Sequence, residues 1–143
     1  MKVLIINGPN LNMLGIREPG IYGSESYSDL CEKIKKYADE KKCETEFFQS
    51  NHEGAIIDKI HESFGKIDGI VINPGAFTHY SYAIRDAIAC VKIPTVEVHI
   101  SDINNREEFR KISVTAPVCK KQISGKGTDG YLYALEELIN DKK

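Results

Sequence analysis

Two short runs, KVLIIN at 2–7 and DGIVIN at 68–73, are apolar at consecutive positions rather than at every second one. A strand can be apolar on both faces only where both faces are covered, which is the situation of a central strand in a parallel sheet flanked by helices. Three further runs read as strands: ETEFFQ (44–49), PTVEVH (94–99) and VCKKQI (118–123). Between the strands, 27–41, 51–64, 81–90 and 128–141 carry apolar residues three and four apart, as at Leu30, Ile34, Tyr37 and Ala38, the period of a helix buried along one stripe. GSESYSDL supplies a cap for the first helix, open among Ser24, Ser26 and Ser28.

Right-handed crossovers leave few arrangements for such a βα alternation. The expected fold is α/β, a flavodoxin-like doubly wound parallel sheet of five strands in the order 2-1-3-4-5. The 143 residues fit a single domain, 1–143, with no repeat, low-complexity tract or linker to divide it. The 19 basic and 21 acidic residues nearly cancel and the basic ones are scattered, so neither nucleic acid nor an anionic membrane surface is an expected partner. No apolar run reaches the ~20 residues of a membrane span, and MKVLIING lacks the cleavage site of a signal peptide. A cytoplasmic protein is expected, with small molecules or copies of itself as partners. Cys31, Cys43, Cys90 and Cys119 include no CxxC pair and read as small buried apolar residues. HEGAI at His52 and HESFG at His61 begin like a zincin helix but lack the second histidine four residues on, so both histidines read as helix-end or surface residues and no metal site is expected.

In open parallel sheets, ligands bind beyond the carboxyl ends of the strands near the topological switch point. Asn7, Asn10 and Asn12 follow strand one, with Arg17 and Tyr22 further along the same loop; Asn73 and His79 follow strand three; Glu97, His99 and Ser101 end strand four. Each alone could be turn chemistry or a core side chain. Their convergence on one edge points to a site. The period of two puts Glu97 and His99 on one face of their strand, where a carboxylate can fix the imidazole's tautomer and favour the protonated form that a general acid needs.

Three common uses of such a sheet do not fit. The loop after strand one has no Ser/Thr-rich cradle for FMN, and Asn7 and Asn73 are neutral where a phosphoacceptor domain needs acids. GKGTDG (125–130) formally matches a dinucleotide fingerprint, but no later strand can carry the ribose-binding acid, so it reads as a tight turn before the last helix. What remains is a phenol beside a guanidinium, an acid histidine, amides and hydroxyls. That inventory suits proton removal and elimination on a polyhydroxylated substrate. A tyrosine of pKa ~10 is only ~0.1% ionised at pH 7, and bringing it to pKa ~7 takes about 4 kcal/mol, for which Arg17 is the obvious source.

INGPNLNMLGIREPGIYG (6–23), NPGAFTHYSYAIRDA (73–87), EVHIS (97–101) and REEFRKIS (106–113) together resemble the type II 3-dehydroquinate dehydratases nearly end to end. The resemblance implies a cofactor-free hydro-lyase of the shikimate pathway of aromatic amino acid biosynthesis, assembled as a dodecamer from four trimers. Its reaction is anti elimination of water from 3-dehydroquinate to 3-dehydroshikimate through an enolate. Carried onto this chain, it makes Tyr22 the base at C2, Arg17 its activator, Asn10 the amide that stabilises the enolate through a water, His99 the acid on the C1 hydroxyl and Glu97 its orienter. It also implies that Asn73 binds near that hydroxyl, that Ile100 and Ser101 hold the carboxylate, that His79 and Arg110 contact the C4 and C5 hydroxyls, and that Asp86 reaches a neighbouring subunit's site. One departure is Asp102, where the family commonly has asparagine; it adds negative charge near the carboxylate pocket. The alternative from another class is a non-catalytic flavodoxin-like module that binds a small anion at the same edge.

Overall fold

The computed structural model describes residues 1–16 and 25–141. Five strands, β1 (Lys2–Asn7), β2 (Glu44–Gln49), β3 (Gly69–Asn73), β4 (Thr95–His99) and β5 (Lys121–Ser124), form one parallel sheet in the order β2-β1-β3-β4-β5. Helices α1 (Tyr27–Glu40), α2 (Glu53–Glu62), α3 (Tyr82–Val91) and α4 (Asp129–Asp141) complete the alternation. The architecture and strand order are those expected from the sequence.

The doubly apolar strands divide their side chains between two cores. Val3, Ile5 and Val71, with Val96 and Val98, pack under Leu30, Ile34 and Ala38 of α1 and Tyr131, Ala134, Leu135 and Leu138 of α4. Leu4, Ile6, Ile70 and Ile72 face Ile56 and Ile60 of α2 and Ile84, Ala87, Ile88 and Val91 of α3. At about 25 cal/mol per Å² of apolar surface, each fully buried valine, leucine or isoleucine among these contributes roughly 1.5–3 kcal/mol. The cap of α1 is Ser26, whose hydroxyl accepts the Asp29 N–H while the Asp29 carboxylate accepts the Ser26 N–H, a reciprocal capping box.

The differences from expectation are local. The fifth strand begins at Lys121 rather than 118, because Ala116–Val118 closes a 3-10 turn around Pro117 and the ladder opens only where the Lys120 N–H reaches the Thr95 carbonyl at 2.8 Å. Of the four free cysteines, Cys43 is buried, Cys31 and Cys119 are half-buried, and Cys90 is exposed on α3, so the buried reading fails for Cys90. His52 precedes α2 and His61 lies near its end, both exposed. GKGTDG is a turn, with Gly125 and Gly127 at φ of 76° and 61°, leading into α4. No helix of the described residues is long and apolar enough to cross a membrane.

Candidate active site

Strand register brings the polar residues to one level. Asn7 pairs with Gln49 on one side and Asn73 on the other, and His99 pairs with Ser124, all at the carboxyl edge. The loops that follow β1 and β3 interlock there. The Gly8 N–H donates to the Asn73 carbonyl at 2.8 Å, and a Cβ on Gly8 would lie 2.5 Å from the Pro74 carbonyl oxygen, so only glycine permits the approach. Asn10 follows in the left-handed region at φ 72°, a conformation asparagine tolerates. Its N–H donates to Asn51 Oδ1 at 2.9 Å, and Gln49 Nε2 steadies that oxygen and the Gly8 carbonyl.

The result is a cavity of about 160 Å³ lined by Asn10, Asn73, His79, His99, Ile100, Ser101, Arg106 and Arg110 among others. Seven of the residues expected at the site therefore share one hollow. Glu97 stands behind His99, fully buried, and completes the set from β4. Asp86 is exposed on α3 and does not line the cavity of its own chain. Arg17 and Tyr22 lie outside the described residues. Among those described, the lining carries two arginines and two histidines and no carboxylate, a setting for an anionic ligand. Asp102 does not line it: its carboxylate accepts the Asn104 N–H and Asn105 Nδ2, both at 2.9 Å, and is committed to its own loop.

The His99–Glu97 pair is the most elaborated part. His99 Nε2–H donates to Glu97 Oε2 at 2.8 Å, leaving Nδ1 as the nitrogen available to a ligand. The same carboxylate oxygen accepts Ser113 Oγ and Gln122 Nε2, each at 2.8 Å, and Oε1 accepts the Thr115 hydroxyl. Ser113 and Thr115 each spend their one hydroxyl hydrogen on Glu97, so Thr78, 2.8 Å from both, donates its own single hydrogen to one or the other of them. Burial alone would raise the Glu97 pKa. The hydrogen bond and charge of His99, with Thr115 and Gln122, more than reverse this and hold it at about 2. A depressed carboxylate pKa contributes stability that is present above the unfolded-state value of ~4.3 and lost as pH falls through the folded one. Chemical denaturation is thus expected to show a loss on the order of 3 kcal/mol between pH 4.3 and 2, a loss that Glu97→Gln should largely abolish.

His79 is held differently. Its Nδ1–H donates to the Ile112 carbonyl at 2.8 Å, and its ring meets Phe109 edge-on. Burial, aided by the neighbouring His99 and Arg110, lowers its pKa, so the ring is neutral at pH 7 and offers Nε2 as an acceptor for a ligand hydroxyl. Arg110 lies over the Phe109 ring, 4.8 Å from its centre, and bonds Glu107 through Nε at 3.3 Å. Arg106, which sequence reasoning passed over in favour of Arg110 in the same REEFR run, lines the cavity and donates to Ser101 Oγ at 3.0 Å. Also missed were Thr78, Ser113, Thr115 and Gln122. The available signal was the buried strand acid itself, since a carboxylate at Glu97 requires donors from whatever packs over it.

A family model described as dehydroquinase class II matches residues 1–139. A 3-dehydroquinate dehydratase of Lachnospira eligens is 61% identical over 142 residues, covering 98% of this chain and 97% of its own length, and one of Caldicellulosiruptor bescii is 64% identical over 143 residues, covering 97% and 99%. Among solved structures, the type II dehydroquinase of Butyrivibrio crossotus superposes with a TM-score of 0.95 at 62% identity, covering 96% of this chain and 97% of that one. That of Propionibacterium acnes gives 0.94 at 41% identity, covering 98% and 97%. With the cavity, its edge of the sheet and the matched length in agreement, the chain belongs to the class II dehydroquinase family.

Proposed function

We propose that the cavity at the carboxyl edge performs its family's dehydration of 3-dehydroquinate, a hydro-lyase step of the shikimate pathway, with the following division of labour. Tyr22, activated by Arg17, takes the C2 proton; the electron pair passes into an enolate at the adjacent ketone, stabilised by Asn10 through a water. His99 then gives a proton to the C1 hydroxyl, which departs as water while the enolate electrons close the C1–C2 double bond. Both groups regain their starting protonation from solvent, so the step balances without a cofactor. Ile100 and Ser101 receive the carboxylate, with Arg106 bonding the Ser101 hydroxyl that does so. Neutral His79 accepts from a ring hydroxyl and Arg110 donates to one.

The observation that carries this reading is the buried, four-donor carboxylate of Glu97 with His99 as its outlet to the cavity. Incubation with 3-dehydroquinate, with no added metal or cofactor, should produce the ultraviolet absorbance of the conjugated enone product. Binding without turnover would overturn it in favour of an anion-binding module.

The single chain 1–143 is read as the whole catalytic domain and as a subunit of a homo-oligomer, a dodecamer of four trimers in the cytoplasm. Its support is the family resemblance and the position of Asp86, exposed on α3 and not among the residues that line the cavity of its own chain. Light scattering is expected to show the assembly; a fully active monomer would contradict it. If Asp86 works in trans, dissociating and reassembling Asp86→Ala with Tyr22→Phe subunits should restore activity that neither has alone.

A further inference from the structure

Beneath the cavity runs a buried polar chain that the reaction as described does not use. Tyr131 of α4 is fully buried inside the core shared with α1, where a phenylalanine would satisfy packing alone. Its hydroxyl instead lies between the two asparagines that end the central strands. Asn73 Nδ2 donates to the Tyr131 oxygen at 3.0 Å, and the Tyr131 hydroxyl donates to Asn7 Oδ1 at 2.5 Å.

The direction of this chain is determined by its ends. Asn73 Oδ1 accepts the Gly75 N–H at 3.1 Å, so the amide cannot be turned over without facing a donor with a donor. Tyr131 has one hydrogen, and Asn7 Oδ1 is where it goes. Burial pushes the Tyr131 pKa up, so the hydroxyl keeps that hydrogen. Of the Asn73 side chain's own donors, this leaves the second Nδ2 hydrogen for the cavity that it lines. On the far side, Asn7 Nδ2 is buried and has no partner within hydrogen-bond distance among the described residues, with the Tyr27 hydroxyl the polar group near enough to feel it.

We propose that Tyr131 is a positioning residue for the elimination: by accepting from Asn73 and donating to Asn7, it holds the Asn73 amide in the one orientation that points an N–H at the departing hydroxyl of the substrate. This rests on the reading of Asn73 as a contact to that hydroxyl. A donor so placed acts on the hydroxyl as it leaves, so its misalignment should appear in kcat rather than in KM.

The test is a double-mutant cycle between Tyr131→Phe and Asn73→Ala, with kcat and KM measured separately. Tyr131→Phe should lower kcat about tenfold with KM within about twofold, the size of one misdirected hydrogen bond. In the Asn73→Ala background the same replacement should cost nothing more. An equal cost in both backgrounds would show that Tyr131 supports the fold in general and would overturn the proposal, as would wild-type kcat in Tyr131→Phe. Full activity in Asn73→Ala would overturn the reading of Asn73 and the relay with it, whereas an impaired Asn73→Ala with an independent Tyr131 effect would overturn the relay alone. Should Tyr131→Phe fold poorly, Asn7→Ser loosens the same hydroxyl from its other side. Its smaller loss of kcat should likewise vanish when Asn73 is absent, and persistence of that loss would overturn the proposal.

Discussion

His99→Asn is expected to lower kcat by about 10²–10⁴ while leaving KM nearly unchanged, because the replacement keeps a hydrogen bond to Glu97 within reach but removes the group assigned to protonating the leaving hydroxyl. Ser101→Ala should do the reverse. Its hydroxyl takes a hydrogen bond from Arg106 at the cavity wall, and the carboxylate it is assigned to hold is the same in substrate and transition state. A contact that binds both equally raises KM and spares kcat. Steady-state kinetics on the two variants would check this directly, and equal kcat losses in both would mean that the roles are wrongly divided.

The second large effect is expected in the loop after β1. Tyr22→Phe removes one oxygen and should fold and bind a substrate analogue normally, yet lose turnover by about 10²–10⁴ as the base disappears. Arg17→Ala should also be severely impaired, with a residual rate that climbs with pH as the unassisted phenol ionises toward pKa ~10. Arg17→Lys should rescue it poorly, since an ammonium lacks the planar guanidinium fork. A pH–rate profile of Arg17→Ala that stays flat between neutral and alkaline pH would remove Arg17 from the role of activator.

What the sequence discloses about this molecule follows the regularity of its parts. The strand order was legible because KVLII and GIVI are apolar on both faces, a pattern that only a doubly covered sheet requires, and the crossovers then leave little choice. The pairing of Glu97 with His99 was legible for the same reason, since a period of two puts them on one face without any knowledge of the rest of the fold. The partners of Glu97 were not. Ser113 and Thr115 arrive on the connection from β4 to β5, which is built of 3-10 turns and has no periodicity to project, and Gln122 arrives from an edge strand whose start lay three residues later than its composition suggested. Tyr131 was hidden differently: at helical spacing beside Ala134, Leu135 and Leu138 it reads as core, and its hydroxyl acquires meaning only once α4 is laid across the ends of β1 and β3.

The cap of α1 shows the same limit on a smaller scale. Three serines could serve, and the choice of Ser26 depends on the carboxylate of Asp29 three residues on reaching back to its N–H. Asp102 shows it at the site. By position in the sequence it adds a charge beside the carboxylate pocket, but its oxygens are turned to Asn104 and Asn105, a commitment that spacing alone does not reveal.

The central claim is that two different groups handle the two protons of the elimination, with His99 needed only for the second. In deuterium oxide, His99→Asn given 3-dehydroquinate should still form the enolate through Tyr22 and return it to substrate, so nuclear magnetic resonance of the recovered substrate is predicted to show deuterium at C2 accumulating well above the buffer rate. Formation of 3-dehydroshikimate in the same tube should fall to about 1% of wild type or less. Recovered substrate with no deuterium beyond the buffer control, or dehydration persisting near the wild-type rate, would contradict the assignment of His99 as the acid and Tyr22 as the base.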